Sequence, residues 1–360
     1  HGREHSFPTR RSSDLALLFI ISAIQTLCFV VIGNAIMGIH DMNMTYWMIL
    51  FTTSCFANLL GLNISAGLDS AVTVYILIPF LLIPQILLSG VIVRYDKLHP
   101  LINCNEGVPL IGNVMTSRWA YEAMAVEQFA NNPFEKQFYS EESVMSQATY
   151  KKDWWIAALR EKTDRLERMM LNKSSKDSIN IPLAVISHEL SNEASIVPSK
   201  KAELLRQLTY ETVNANTITQ LRTTLDELRE FYIEKFNTAN EAKETKIAKM
   251  TSGQGSEEEF LAMKNRYENE SLEEMVRNSN QAERMVLTNE KIIQRFEPVF
   301  NQNSSFSKAP MFSYVKNLNG TKVKTLNSNI IVIWLMSLLL YITLQFDVFR
   351  KVVGVFSKGK

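Results

Sequence analysis

Arg118 and Glu122 stand four residues apart in TSRWAYEAMAVEQF. That spacing lets a guanidinium and a carboxylate pair on one helix face. Trp119, Ala123, Val126 and Phe129 give the same segment an apolar side. At membrane depth such charges are costly and usually functional. At the membrane–water boundary they act as anchors, and the local pattern leaves both readings open. Elsewhere the chemistry is sparse. Ser252-Gly253-Gln254-Gly255-Ser256 lacks the lysine and the strand–helix setting of a phosphate loop. His188-Glu189 lacks the second histidine of a zinc-protease helix. The many other carboxylates fall on polar helical faces, where a solvated surface is the default. Cys28 and Cys55 lie in apolar runs and Cys104 stands alone, with no zinc-ligand spacing among them. Cys104 reads as a free thiol, with pairing to its copy in a symmetric dimer as the alternative. No catalytic constellation or metal site emerges, so enzymatic activity is not expected of this chain by itself.

The elements that must position these residues come from two populations. The chain has 360 residues, a net charge of +1 and a mean hydropathy of −0.05. Both ends are strongly apolar and the middle is charged. Near-neutral charge leaves no footprint for nucleic acid. Leu15–Ile39 is uncharged and reads as a first span, since about 20 apolar residues cross a bilayer. A second runs from Tyr46 to Ile64, with Tyr46 and Trp47 at its end as interfacial aromatics. Its Thr52, Thr53, Ser54, Asn58 and Asn63 read as helix–helix hydrogen-bonding groups, or as a substrate surface. The third span is Ala71–Val93, interrupted by Pro79 and Pro84 and loosened at Ser89-Gly90. A short apolar return at Val108–Val114 suggests a segment dipping into the membrane. The last span is Ile330–Phe346.

Between them the chain is rich in Lys, Glu, Asn, Thr and Ser, with helical periodicity and almost no strand signal. In Asp153–Lys173 the apolar residues Trp155, Ala158, Leu159, Leu166 and Met169 share one face. Ile218, Leu221, Leu225, Leu228 and Tyr232 are spaced 3, 4, 3, 4, a heptad seam. A two-chain coiled coil and a helical hairpin packed on its neighbours both fit. Thr251–Glu259 reads as the hairpin loop, with helix resuming through Phe260–Arg266 and Met275–Phe300. Phe306–Asn327, with Pro310 and Gly320, reads as an irregular return loop. The expected fold class is therefore all-α: four membrane helices plus a re-entrant segment, with a helical, coiled-coil-like extracytoplasmic insertion. The expected divisions are 15–95 for three spans, 96–130 for the re-entrant or interfacial segment, 131–327 for the insertion, 328–349 for the last span and 350–360 for a basic tail. Residues 1–14 are set apart. Ser6–Leu15 (SFPTRRSSDL) resembles a translated sequencing-library adapter, which implies that the chain is the C-terminal fragment of a longer protein.

The order SAGLDSAVTV, a proline-bearing span, LLSGVIV and then SRWAYEAMAVEQF resembles the membrane domain of ABC exporters of the G-subfamily type. The resemblance covers Leu15 to about Phe129 and Asn327–Lys351. It implies a fifth span ending in Ser-Gly plus two bulky apolar residues, matched here by Val91 and Ile92 as an apolar gate. Apolar constrictions gate a pathway by excluding water. Ile83 and Ile86, on the turns before, would line the same cavity, or else face lipid or a neighbouring helix. The loop carrying Asp69 would couple to an ATPase domain; a helix cap is the alternative role. The resemblance further implies a second copy of the chain and an ABC ATPase, fused upstream or separate, where ATP and magnesium would bind. No cofactor is expected in the fragment itself.

Four Lys/Arg in the C-terminal tail against Asp347 place that tail in the cytoplasm by the positive-inside rule. Residues 96–327 then lie outside, with Arg94 and Lys97 a mild objection. An insertion unlike a small disulfide-bonded loop suggests a bacterial inner membrane, a periplasmic insertion and a periplasmic partner for it. A membrane-anchored helical scaffold module of the envelope, without transport, is the alternative function.

Overall fold

The computed structural model describes residues 7–357 other than 69, 96, 97, 100–103, 105, 194–197, 254, 255 and 303. Two compact units form: residues 1–135, 266–269 and 302–360, and residues 136–265 and 270–301.

The first unit opens with α1 (Phe7–Met37), which starts eight residues ahead of the expected Leu15. It stops where Gly38 takes φ 68°, the left-handed conformation a helix C-terminus favours. Next is α2 (Asn43–Gly67), which packs against α1. Its polar residues bond within the helix or across to its neighbours. Thr52 and Thr53 hydroxyls donate to their own helix, at Met48 O and Ile49 O, both 2.8 Å. Ser54 Oγ and Asn58 Nδ2 both donate to Ser22 Oγ of α1, at 2.9 and 2.8 Å. In a non-aqueous surrounding such bonds spare polar groups from being left unpaired. Then α3 (Ala71–Leu87) runs through both Pro79 and Pro84. It has 17 residues, so it ends six short of the expected Val93, and none of them is buried within the unit. The apolar return forms α4 (Leu110–Val114), and α5 (Thr116–Ala130) follows it.

The second unit holds α6 (Tyr139–Thr149), α7 (Ile156–Leu171), α8 (Lys176–Asn192), α9 (Pro198–Gln207), α10 (Ala215–Thr251), α11 (Ser256–Tyr267, whose last two residues fall to the first unit) and α12 (Glu270–Arg277). A π-helical turn, Tyr150–Trp155, joins α6 to α7. Asn214 opens α10 with a capping box: its side chain accepts from Thr217 N while Thr217 Oγ1 accepts from Asn214 N. Ile218, Leu221, Leu225, Leu228 and Tyr232 of α10 are all buried in the unit's core with Leu159 and Leu166 of α7 and Ile186 and Leu190 of α8. The heptad seam is thus used inside one chain, the packed-hairpin alternative. Of the expected helix over Met275–Phe300, only Met275–Arg277, the end of α12, and a short 3-10 turn at Pro298–Phe300 are helical. After α12 come antiparallel β1 (Met285–Leu287) and β2 (Ile292–Gln294). The reason is local. β-Branched residues favour strand, and Thr288 closes the turn by donating to Lys291 O and accepting from Lys291 N.

The return segment is not irregular either. It folds as antiparallel β3 (Val315–Leu318) and β4 (Thr321–Lys324), back in the first unit. Asn319 and Gly320 take φ 48° and 87°, the two positive values that a tight hairpin turn requires. The expected all-α class therefore gains two small hairpins. Finally α13 (Thr325–Gln345) leads into α14 (Val348–Ser357), a helix not foreseen in the basic tail. Asn63 Nδ2 donates to Leu340 O at 2.9 Å and Thr343 Oγ1 to Asn63 Oδ1 at 3.0 Å, fastening α13 to α2. Among the described residues three helices are long and apolar enough to cross a membrane: Ser13–Met37 of α1, α2 and α13. The short α3 is apolar but lies at the lower limit of about 17 residues for a span.

Candidate functional site: a buried charge node

Arg118 and Glu122 form the expected pair, with Nη2 and Oε2 3.3 Å apart, yet both are buried, at 2% and 0% exposure. Burial demands partners that the local segment cannot supply. Lys316 of β3 reaches Glu122 Oε2 at 2.6 Å and is itself 1% exposed. Asn329 of α13 donates to Glu122 Oε2 at 2.8 Å and to Trp119 O at 2.9 Å, and its Oδ1 accepts from Lys316 Nζ at 2.9 Å. The backbone N–H of Phe312 donates to Glu122 Oε1 at 3.2 Å. One carboxylate therefore ties together α5, the loop before β3, β3 itself and α13. Strand alternation explains why a lysine can do this: Lys316 is the one buried residue of β3, with its neighbours turned away.

The node carries two cations for one anion. Burial alone would raise the Glu122 pKa. The Arg118 and Lys316 cations overturn that and hold it below the ordinary carboxylate value. Burial pushes Lys316 down to about 8, with Glu122 opposing and Arg118 adding to the fall. Trp119 softens the excess charge. Arg118 Cζ lies 4.0 Å and Lys316 Nζ 4.9 Å from its ring centroid, within cation–π range. Phe306 stacks on the same ring at 6.0 Å. Among the described residues, Arg118 Nε and Nη1 are buried without hydrogen-bond partners. Chemically the arrangement positions; it fixes the return hairpin and the last long helix on α5.

A second piece of geometry lies beyond the end of α3. Ser89 Oγ donates to Ile86 O at 2.8 Å and accepts from Val91 N at 3.3 Å. Gly90 turns the chain at φ 82°, and a Cβ there would stand 2.6 Å from Met311 Sδ and 2.9 Å from the Tyr95 ring. Tyr95 is buried, donates to Leu88 O at 2.7 Å, and lies where a Cβ on Gly112 would come 2.7 Å from its hydroxyl. It is a wedge between two glycines. Gln85 of α3 accepts through its side chain from Ser117 N at 3.2 Å, fastening α3 to the first turn of α5.

The other expected site residues separate. Val91 and Ile92 sit in the turn after α3, at 45% and 61% exposure. Ile83 and Ile86 are each 54% exposed on α3. Asp69 lies outside the described residues. Cys104 is exposed with a free thiol. Sequence reasoning missed Lys316, Asn329 and Tyr95. Only the Asn319-Gly320 turn, flanked by VKNL and TKVK, signalled that Lys316 stands on a strand.

Long apolar helices thus stand at both chain ends, α3 bears two prolines and is followed by a glycine turn, and α5 is locked by buried charge. The family model of ABC-2 type transporters matches residues 3–125. The match spans about a third of the chain, from α1 into α5, and places an ABC-2 type transporter membrane domain in this N-terminal part. Arg118 and Glu122 fall inside the ABC-2 match; Lys316 and Asn329 fall outside it. No curated protein and no solved structure matches the chain.

Proposed function

We propose that this chain is the permease part of an ATP-driven ABC exporter, working as a pair of copies with ABC ATPase domains. The observation that carries the reading is the ABC-2 match over α1–α5, on helices long and apolar enough to cross a membrane. ABC-2 membrane domains generally work as dimers with an ATPase partner. The bonds from Asn63 to Leu340 and Thr343 support the orientation the positive-inside rule requires, because they bring the C-terminal ends of α2 and α13 to one side. In this reading ATP-driven closure would narrow a cavity between copies, and substrate would pass the apolar pair Val91 and Ile92. Ile83 and Ile86 would line the approach, and Asp69 would stand at the coupling loop. G-subfamily membership, a bacterial inner membrane and a periplasmic position for the second unit belong to the same proposal. Replacing Val91→Ala together with Ile92→Ala in the protein assembled with its ATPase tests it. Basal ATPase activity or transport is expected to change; wild-type rates for both would remove the gate.

The second unit favours a further role, because it has an apolar core of its own. It could recruit a partner outside the membrane. Deleting residues 136–301 is then expected to abolish export while leaving ATP hydrolysis intact.

A further inference from the structure

We infer that α14 is an interfacial anchor that binds anionic lipid headgroups through Arg350 and Lys351. The inference rests on the membrane-spanning reading of α2 and α13 and on none of the transport assignments. α14 follows α13 after a short turn in which Asp347 takes φ 49°. It packs against both α13 and α2. The seat on α2 is specific: Gly67, the last residue of that helix, has the Phe349 ring where its own side chain would be, 2.0 Å from a built Cβ. The ends of α2 and α13 lie side by side through the Asn63 bonds. A helix seated at the ends of two long apolar helices lies at the level where the apolar slab gives way to water.

Its own composition fits that level. At about 100° per residue, Val348, Phe349 and Val352 share one side and Arg350 and Lys351 the other. Phe349 is spent on Gly67. Val348 and Val352 are left 39% and 47% exposed, and Phe346 just before them is 63% exposed. Apolar side chains beside cations on a short helix are the pattern of segments lying in the headgroup region. Two cations and no acidic residue within α14 select anionic over zwitterionic headgroups, since each basic residue near such a surface strengthens binding roughly fivefold.

The test uses the full chain with Cys28, Cys55 and Cys104 replaced, a Val352→Cys label carrying an environment-sensitive fluorophore, and nanodiscs of phosphatidylcholine with or without phosphatidylglycerol. A Leu338→Cys label on α13, where Leu338 is 53% exposed, reports on the span itself. The label at 352 is expected to shift to the blue and to be quenched by headgroup-region quenchers when phosphatidylglycerol is present. Arg350→Glu with Lys351→Glu should abolish that dependence. Both cations are exposed, so the fold should survive. Water-like emission at 352 in both membranes, with 338 still in lipid, overturns the anchor alone. Lipid-like emission at 352 that ignores phosphatidylglycerol overturns the headgroup specificity. Water-like emission at 338 as well overturns the span, and the anchor with it.

Discussion

The Glu122 node of the first unit and the α7–α10 face of the second use the same ions in opposite ways. In the first, Glu122 is sealed from water with Arg118 and Lys316, and its carboxylate also accepts hydrogen bonds from Asn329 and the Phe312 backbone N–H. In the second, Arg222 bridges Asp164 and Glu167 at 2.8 and 2.7 Å, and Arg160 pairs with Asp226, all on exposed side chains between α7 and α10. Beneath those pairs the seam of α10 is apolar throughout. Exposed pairs contribute little because water screens them. A buried pair adds little as a pair, but removing one member strands the other in a low-dielectric interior. The α7–α10 face is therefore held by its core with charges as trim, whereas the helices around α5 depend on a charge balance that each member must keep.

That contrast can be broken from either side. Glu122→Ala should cost most, about 3–5 kcal/mol, because it leaves Lys316 and Arg118 buried without their anion. Thermal unfolding in detergent would register it, and adding Lys316→Met should recover part of the loss. A loss no larger than that from a surface pair would end the distinction between the units. Leu221→Ala, at 0% exposure in the apolar seam, should cost about 2–5 kcal/mol. Acid sharpens the comparison. The folded pKa of Glu122 lies below its ordinary 4.5, so its stabilising contribution is complete above that value and fades as pH falls through the native one. Glu122→Gln should flatten this acid limb in a pH series of unfolding midpoints. Asn214→Ala removes the cap of α10 and should cost about 1 kcal/mol. Arg222→Ala should move stability by less than about 1 kcal/mol, and added salt should shrink even that.

Parts of both units were legible without a fold. An uncharged run longer than a bilayer is thick announces a span, which is why α1, α2 and α13 fall close to where composition put them. The spacing of Ile218 to Tyr232 announced one buried face of α10. It could not say what would cover that face, because a neighbouring helix and a second chain present the same apolar surface. The two hairpins were misread for a different reason. A strand of three or four residues carries too little periodicity to outweigh its helical surroundings, although Asn319-Gly320 was a usable signal.

Local chain chemistry determined by itself that Arg118 and Glu122 would meet, since four residues make one helical turn. Only the tertiary structure decided that they are buried and share Glu122 with Lys316 and Asn329, 194 and 207 residues further along. Pairing at i,i+4 is a property of one helix. A carboxylate's need for more donors once water is excluded is a property of packing, and it is met by whichever side chains the fold brings near.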